Sequence, residues 1–510
     1  MLTRLKISNF KNLVDVDVRF GTFTCIAGAN GVGKSNLFDA IKFLSLLADR
    51  PLVEAALSIR GKGGHAADIL HLFHQSGYEQ NQKMSFEAEM IIPSTGQDDL
   101  GQQAKTVLTF LRYRVVVGIG QKLSSVSPLE LLEEELLAIP KKDIKEQILF
   151  PQTPEWYQSV FFPGQKKQAF ISTRHNKQFI ILHGEGKSRL LSQPLGNLPS
   201  TVLSSITRAE HSTALLAKRE MQSWRLLQLE PSALRQSDEL STAPATLGTD
   251  GAYLAKTLYA LAKKQGNDEN KNDDVTEQQI YGQIANRLAE LIDDVHSLRV
   301  EHDNQRDFLT VQIAGRDGIF HPARVLSEGT LRFLALAVLE QSAEGGLWCV
   351  EEPENGIHPG RIEAIIRLLE DIAMDTAYPI DSNNPFRQII VNTHSPSVVA
   401  LVPDNSLLVA ELTNTIHQSG QRLKKVSFAC LPNTWRTMAK EKVSIVTKGQ
   451  LLDYLNPIIR PQNQSIEPQK QRVKDRTDLQ ILGTGSVQCN PDGEIFEHCF
   501  DNQCITQFGA

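Results

Sequence analysis

The stretch Gly28-Ala29-Asn30-Gly31-Val32-Gly33-Lys34-Ser35 decides how the rest of the chain is read. It satisfies G-x-x-x-x-G-K-[ST], the pattern of a phosphate-binding P-loop. Its flanks agree. Thr22 to Ala27 is a short apolar run rich in β-formers and predicts a strand, while Asn36 to Leu44 carries apolar residues at helical spacing and predicts a helix. Strand, glycine loop and helix in that order turn backbone N–H groups and a helix N-terminus toward an anion. Gly28, Gly31 and Gly33 let the loop curl and let the backbone approach phosphate closely. On this reading Lys34 reaches the β- and γ-phosphates of ATP and Ser35 holds Mg²⁺, with Asn30 and Asn36 completing the expected nucleotide contacts.

The chain has 510 residues, length for about three domains. Apolar residues make up 41% and charged residues 22%, an ordinary globular balance. No apolar run reaches the roughly 18 residues of a membrane span, and no signal-peptide pattern opens the sequence, so a cytoplasmic protein is expected. Six cysteines do not make a disulfide scaffold; Cys25 and Cys349 fall in strand-like runs and are expected to be core residues. Cys489, His498, Cys499 and Cys504 cluster without a C-x-x-C pair, and His65, His71 and His74 fit no compact ligand motif. The net charge of −6 is not the footprint of a constitutive nucleic-acid binder. From Arg422 to Arg476, however, twelve Lys/Arg face four acids, a local excess of 12 − 4 = +8 that suits either DNA or RNA or a solvated surface.

Residues 2–9 and 14–20 alternate apolar and polar and read as strands, as do 84–92, 107–119 and 168–183. Leu131 to Leu137 reads as a short acidic helix, and 200–264 as helical, with Trp224 to Leu229 inside that run. A long helix is expected from Glu277 to Asp294, then strands at 297–300 and 308–313. No heptad run is long enough for an extended coiled coil.

Two further segments complete a nucleotide site. Leu326-Ser327-Glu328-Gly329-Thr330 opens a helix, with Ser327 as N-cap and Gly329 permitting close backbone approach. Gly346 to Val350 is an apolar strand that delivers Glu351 and Glu352 to its C-terminal end, one carboxylate for the metal and one to polarise water. Arg387 to Asn392 is a strand ending in Thr393-His394-Ser395-Pro396, which puts His394 on the ligand edge of an open α/β sheet.

The set resembles the ABC-type ATPase heads of the RecF/SMC/OLD group, and most of all the AAA_21-like bacterial ATPases. The likeness rests on Asn9-Phe10-Lys11, Leu326 to Thr330, Glu351 to Pro359 and Thr393 to Pro396, with Met221 to Trp224 and Leu247 to Gly251 in support. It covers most of 1–455. The resemblance implies an α/β P-loop head, a mixed sheet flanked by helices, with an inserted β-rich and helical lobe. It divides the chain into head residues 1–60, inserted lobe 61–300, head residues 301–455 and a tail 456–510. It implies Glu351 near Mg²⁺, Glu352 as catalytic base, and His394 as the switch histidine. It also implies that Ser327 and Gly329 contact ATP bound to a second subunit, giving an ATP-dependent homodimer. Lys11 stands where the family has Arg, and Glu351 where many heads have Asp; the glutamine that such heads place near the metal has only weak candidates, Gln75 and Gln82.

A head type does not dictate its output. Without a coiled coil an SMC-like clamp is disfavoured, and without an Asp-x-Asp after Thr393 an internal nuclease site is too. The expected role is the sensor or scaffold ATPase of a bacterial anti-phage complex that controls a separate nuclease or toxin effector. The alternative is a RecF-like DNA-binding repair ATPase.

Overall fold

The P-loop strand, Phe23–Ala27, is buried along its whole length and no residue exceeds 7% exposure. The computed structural model describes residues 1–59, 69–76, 79–80, 82–120, 128–161, 169–174, 179–184, 191–194, 198–264, 273–292, 294–342, 344–416, 422–441, 443–447 and 450–451. The P-loop strand lies between Arg387–Thr393 and Leu407–Ile416 in a seven-stranded sheet. Arg225–Leu227 and Gly346–Glu351 continue the sheet beyond Arg387–Thr393, all five strands being parallel. Arg422–Cys430 adds antiparallel to Leu407–Ile416, and Ser444–Ile445 closes the edge.

A sheet covered on both faces has apolar residues on both sides of each strand. Phe23, Cys25 and Ala27 join one core with Val350, Val391 and Val409, packed under helices Glu328–Gln341 and Ile362–Ile372. Ile26 joins the other with Cys349, Ile390 and Leu408, packed under helix Lys34–Leu47. This second core continues into an eight-stranded antiparallel sheet. Its strands run, in spatial order, Leu191–Pro194, Phe179–Leu182, Ala169–Arg174, Leu129–Ala138, Phe110–Ile119, Lys83–Ile91, Leu2–Phe10 and Leu13–Arg19. That sheet crosses residue 60, joining strands from both sides of it. A smaller sheet pairs Ser297–Asp303 with Phe308–Ala314, beside Asp238–Glu239 and Phe320–Pro322. Residues 1–456 pack as one unit. No helix among the described residues is long and apolar enough to cross a membrane.

Two expectations need correction. Leu131 to Leu137 is no helix but part of the strand Leu129–Ala138. A bulge between Leu131 and Glu133 resets the alternation, so Leu129, Leu131, Glu134, Leu136 and Ala138 all point inward. Pairing with Phe110–Ile119 overrides the local helix preference of the Leu/Glu run. Arg225–Leu227, expected within a helical run, is the edge strand beside Gly346–Glu351. The helix Ser212–Gln222 stops just before it, and Trp224 is tied back by its indole N–H to Glu220 (3.0 Å).

Glu134 is fully buried. Its carboxyl accepts from the Val202 and Leu203 N–H groups (2.6 and 2.9 Å) and the Tyr113 hydroxyl (3.2 Å). Burial pushes it up to about 7, against those hydrogen bonds. In the unfolded chain the group titrates near its ordinary value. The folded form therefore holds the extra proton, and stability falls as pH rises from the carboxylate range to about 7. Melting temperatures of wild type and Glu134→Gln, taken at pH 5 and pH 8, test this. The wild-type value should drop relative to the variant by about 2–5 °C on going to pH 8.

Candidate functional site

Parallel strands in register present their C-terminal ends on one edge, where ligands of open α/β sheets bind. Leu227 pairs with Val350, Glu351 with Asn392, and Thr393 with Ala27. The residues that follow these ends are Gln228, Glu352, His394 and the P-loop.

The P-loop starts in a tight grip. The Gly28 N–H donates to the Thr393 carbonyl (3.2 Å), and a Cβ on Gly28 would stand 2.7 Å from the Ala410 carbonyl oxygen. Lys34, the first residue of its helix, is 5% exposed. Its ammonium donates to the Gly28 and Ala29 carbonyls (2.6 and 3.0 Å). Burial pushes it below its ordinary value, against the pull of Glu352, Glu354 and Glu351. Asn30 and Gly31 are exposed at the tip, and Gly31 has φ 78°, which favours glycine. Ser35 is half-buried in the first helical turn. The Asn36 amide is turned to Asn12 Oδ1 (2.8 Å).

Glu352 has φ 44°, unusual for a residue with a side chain. Its N–H is held by both oxygens of Asn392, the backbone carbonyl (3.1 Å) and Oδ1 (3.0 Å). Its carboxylate meets His394 Nδ1 (2.9 Å) at one oxygen and accepts from Asn355 Nδ2 (2.8 Å) at the other. The sequence-predicted pair Glu352 and His394 is thus in direct contact. Glu354, 7% exposed, accepts from the Thr393 hydroxyl through Oε1, and its Oε2 is buried with no hydrogen-bond partner among the described residues. Burial pushes this carboxyl up, against the Thr393 hydrogen bond.

Ser327 caps its helix by accepting from the Thr330 N–H (3.1 Å). A Cβ on Gly329 would stand 3.3 Å from Ile357, so the helix start packs on the loop after the acidic pair. Gln75 lies in the short strand Gln75–Ser76, and Gln82 just before Lys83–Ile91. Gln228, at the end of Arg225–Leu227, donates from Nε2 to Glu351 Oε2. A lone Gln after a three-residue strand carries no motif; only the strand order reveals it. Lys11 forms an ion pair with the buried Asp39 (2.7 Å). Of the basic stretch, Arg436 is 2% exposed and Lys440 pairs with Glu146 (2.7 Å); the residues beyond 451 lie outside the described ones, as do Cys489, His498, Cys499, Cys504 and His65.

Among the described residues no three His, Cys, Asp or Glu form a metal-binding group. Mg²⁺ asks for less: one or two oxygen ligands, with the rest from water and phosphates. The Glu351 carboxylate with the Gln228 amide beside it, and the Ser35 hydroxyl in the loop, are donors of that type.

A family described as "AAA domain, putative AbiEii toxin, Type IV TA system" matches residues 197–400, and an "AAA domain" family matches residues 4–52. These two matches support a head of the RecF/SMC group of ABC-type ATPases. The DNA replication and repair protein RecF of Bacteroides thetaiotaomicron is 48% identical over 46 residues, 9% of this chain and 12% of RecF. RecF of Bacteroides fragilis matches to the same extent. The chain therefore spans only a small part of the curated relatives it matches. Among solved structures, an SMC head bound to the C-winged helix domain of ScpA is 13% identical, with TM-score 0.42 and coverage of 84% and 98%. The SMC head from Thermotoga maritima is 12% identical, with TM-score 0.33 and the same coverage.

The two Asn392 contacts predict a measurable role. Asn392→Ala removes the side-chain acceptor from a buried strand and should lower unfolding free energy by about 1–3 kcal/mol, read by urea denaturation.

Proposed function

We propose that this protein is an ATPase that binds ATP with Mg²⁺ and hydrolyses it to ADP and phosphate. The observation that carries this is the Glu352 carboxylate, fixed between His394 and Asn355 beside a P-loop whose lysine is already buried. On this reading Lys34 and the loop N–H groups bind the phosphates. Ser35 and Glu351, with Gln228, would hold Mg²⁺, which supplies charge neutralisation at the phosphates. Glu352 accepts the proton of the attacking water, and His394 keeps the carboxylate aimed. Ser327 and Gly329 act in trans, on ATP held by a second copy, so that ATP draws two heads together.

The proposed setting is the cytoplasm, and the proposed output is control of a separate nuclease or toxin effector in anti-phage defence. The toxin–antitoxin wording of the matching family supports it. The RecF likeness favours a second reading, a DNA-binding repair ATPase, whose affinity for DNA would fall steeply with salt.

Turnover and binding assays on two variants test the chemistry. Lys34→Ala should lose ATP binding. Glu352→Gln should retain binding, hydrolyse roughly 100-fold or more slowly, and accumulate as dimer in ATP on gel filtration. Hydrolysis by Glu352→Gln at the wild-type rate would remove Glu352 from the role of base.

A further inference from the structure

Asn12 lies in the turn between the strands Leu2–Phe10 and Leu13–Arg19, outside every motif that marks the nucleotide site. It nevertheless touches the P-loop and its helix. Its Nδ2 donates to the Val32 carbonyl (3.0 Å), and its Oδ1 accepts from Asn36 Nδ2 (2.8 Å). Gly33 lies so close that a Cβ there would stand 2.5 Å from Asn12 Nδ2.

The turn that carries Asn12 is itself anchored. Lys11 has φ 49°. Its N–H donates to the Leu72 carbonyl (2.8 Å), its own carbonyl meets His74 Nδ1 (2.7 Å), and its ammonium pairs with Asp39 (2.7 Å). The neighbouring Phe10 is fully buried against Phe43 and Phe86. Asn12 is therefore a fixed group against which the loop is set.

A trans peptide points its C=O and its N–H in opposite directions. Tying the Val32 carbonyl to Asn12 therefore turns the Gly33 N–H away from Asn12. Gly33 is the N-cap of the helix Lys34–Leu47, in the left-handed region with φ 119°. Its N–H belongs to the set with which a P-loop cradles phosphate. Glycine takes either sign of φ at little cost, so a Val32–Gly33 peptide without an anchor can reorient.

We propose that Asn12 is a positioning residue of the nucleotide site: through the Val32 carbonyl it presets the Gly33 N–H as a phosphate donor. The inference rests on the nucleotide-binding reading above. That donor serves bound substrate and transition state alike, so its loss weakens binding and raises KM while kcat changes little. A residue that merely supported the fold would lower melting temperature without that split.

The test measures affinity for a fluorescent ATP analogue, and kcat and KM for ATP, on the full chain. It compares wild type, Lys34→Ala, Asn12→Ala and Asn12→Asp, with thermal unfolding as the check on folding. Asp keeps an acceptor for Asn36 but cannot donate to Val32. Both Asn12 variants should bind about 10-fold more weakly, with kcat within about 3-fold of wild type. If Asn12→Ala does not fold, the isosteric Asn12→Asp carries the comparison. Wild-type affinity in folded Asn12→Ala overturns the proposal. So does wild-type affinity in Asn12→Asp, which would transfer the role to the Asn36 contact. Should wild type bind no better than Lys34→Ala, the nucleotide reading itself falls and this inference with it.

Discussion

The parallel pairing of Phe23–Ala27 with Arg387–Thr393 on one side and Leu407–Ile416 on the other is the contact on which the site depends. It joins the beginning of the chain to its last third. Loop closure over such a separation is entropically unfavourable, so burial must offset it. The two cores supply that burial, one on each face of the strand. The same pairing aligns strand ends, and so turns three distant sequence segments into one edge. The P-loop feels it directly, since Gly28 is hydrogen-bonded to Thr393 and packed against Ala410.

Charged groups at that edge are crowded into a small space. A buried ammonium is disfavoured unless hydrogen-bonded and paired. Lys34 has two carbonyls of its own loop as acceptors and three glutamates whose charges favour it. Glu352 holds a backbone conformation that runs at roughly 1–3 kcal/mol of strain for a residue with a side chain. The Asn392 oxygens over-determine it, and the result is a carboxylate aimed by two side chains rather than left to rotate.

The motifs were legible because each joins a local structure to a local chemistry. Gly28 to Ser35 needs only its own strand and helix; Glu351-Glu352 and Thr393-His394 need only the end of a strand. Gln228 was not legible, because nothing near it in sequence distinguishes it from other glutamines. Its meaning comes from Arg225–Leu227 pairing with Gly346–Glu351, a contact made across more than a hundred residues. Leu131 to Leu137 misled for a related reason. A Leu/Glu run fits helical spacing, and only a neighbouring strand and a bulge tell it apart from a sheet segment.

By itself, then, the sequence determined the P-loop pattern, the acidic pair and the histidine at their strand ends, and the α/β class, all written in short-range patterns of strand, turn and helix. Tertiary structure alone decided which glutamine meets Glu351, how Asn12 grips the loop, and that one antiparallel sheet continues across residue 60. The physical reason is the range of the forces involved. Propensity and periodicity act over a few residues, whereas strand order, burial and the hydrogen bonds of buried polar groups are settled only when distant segments compete for the same core.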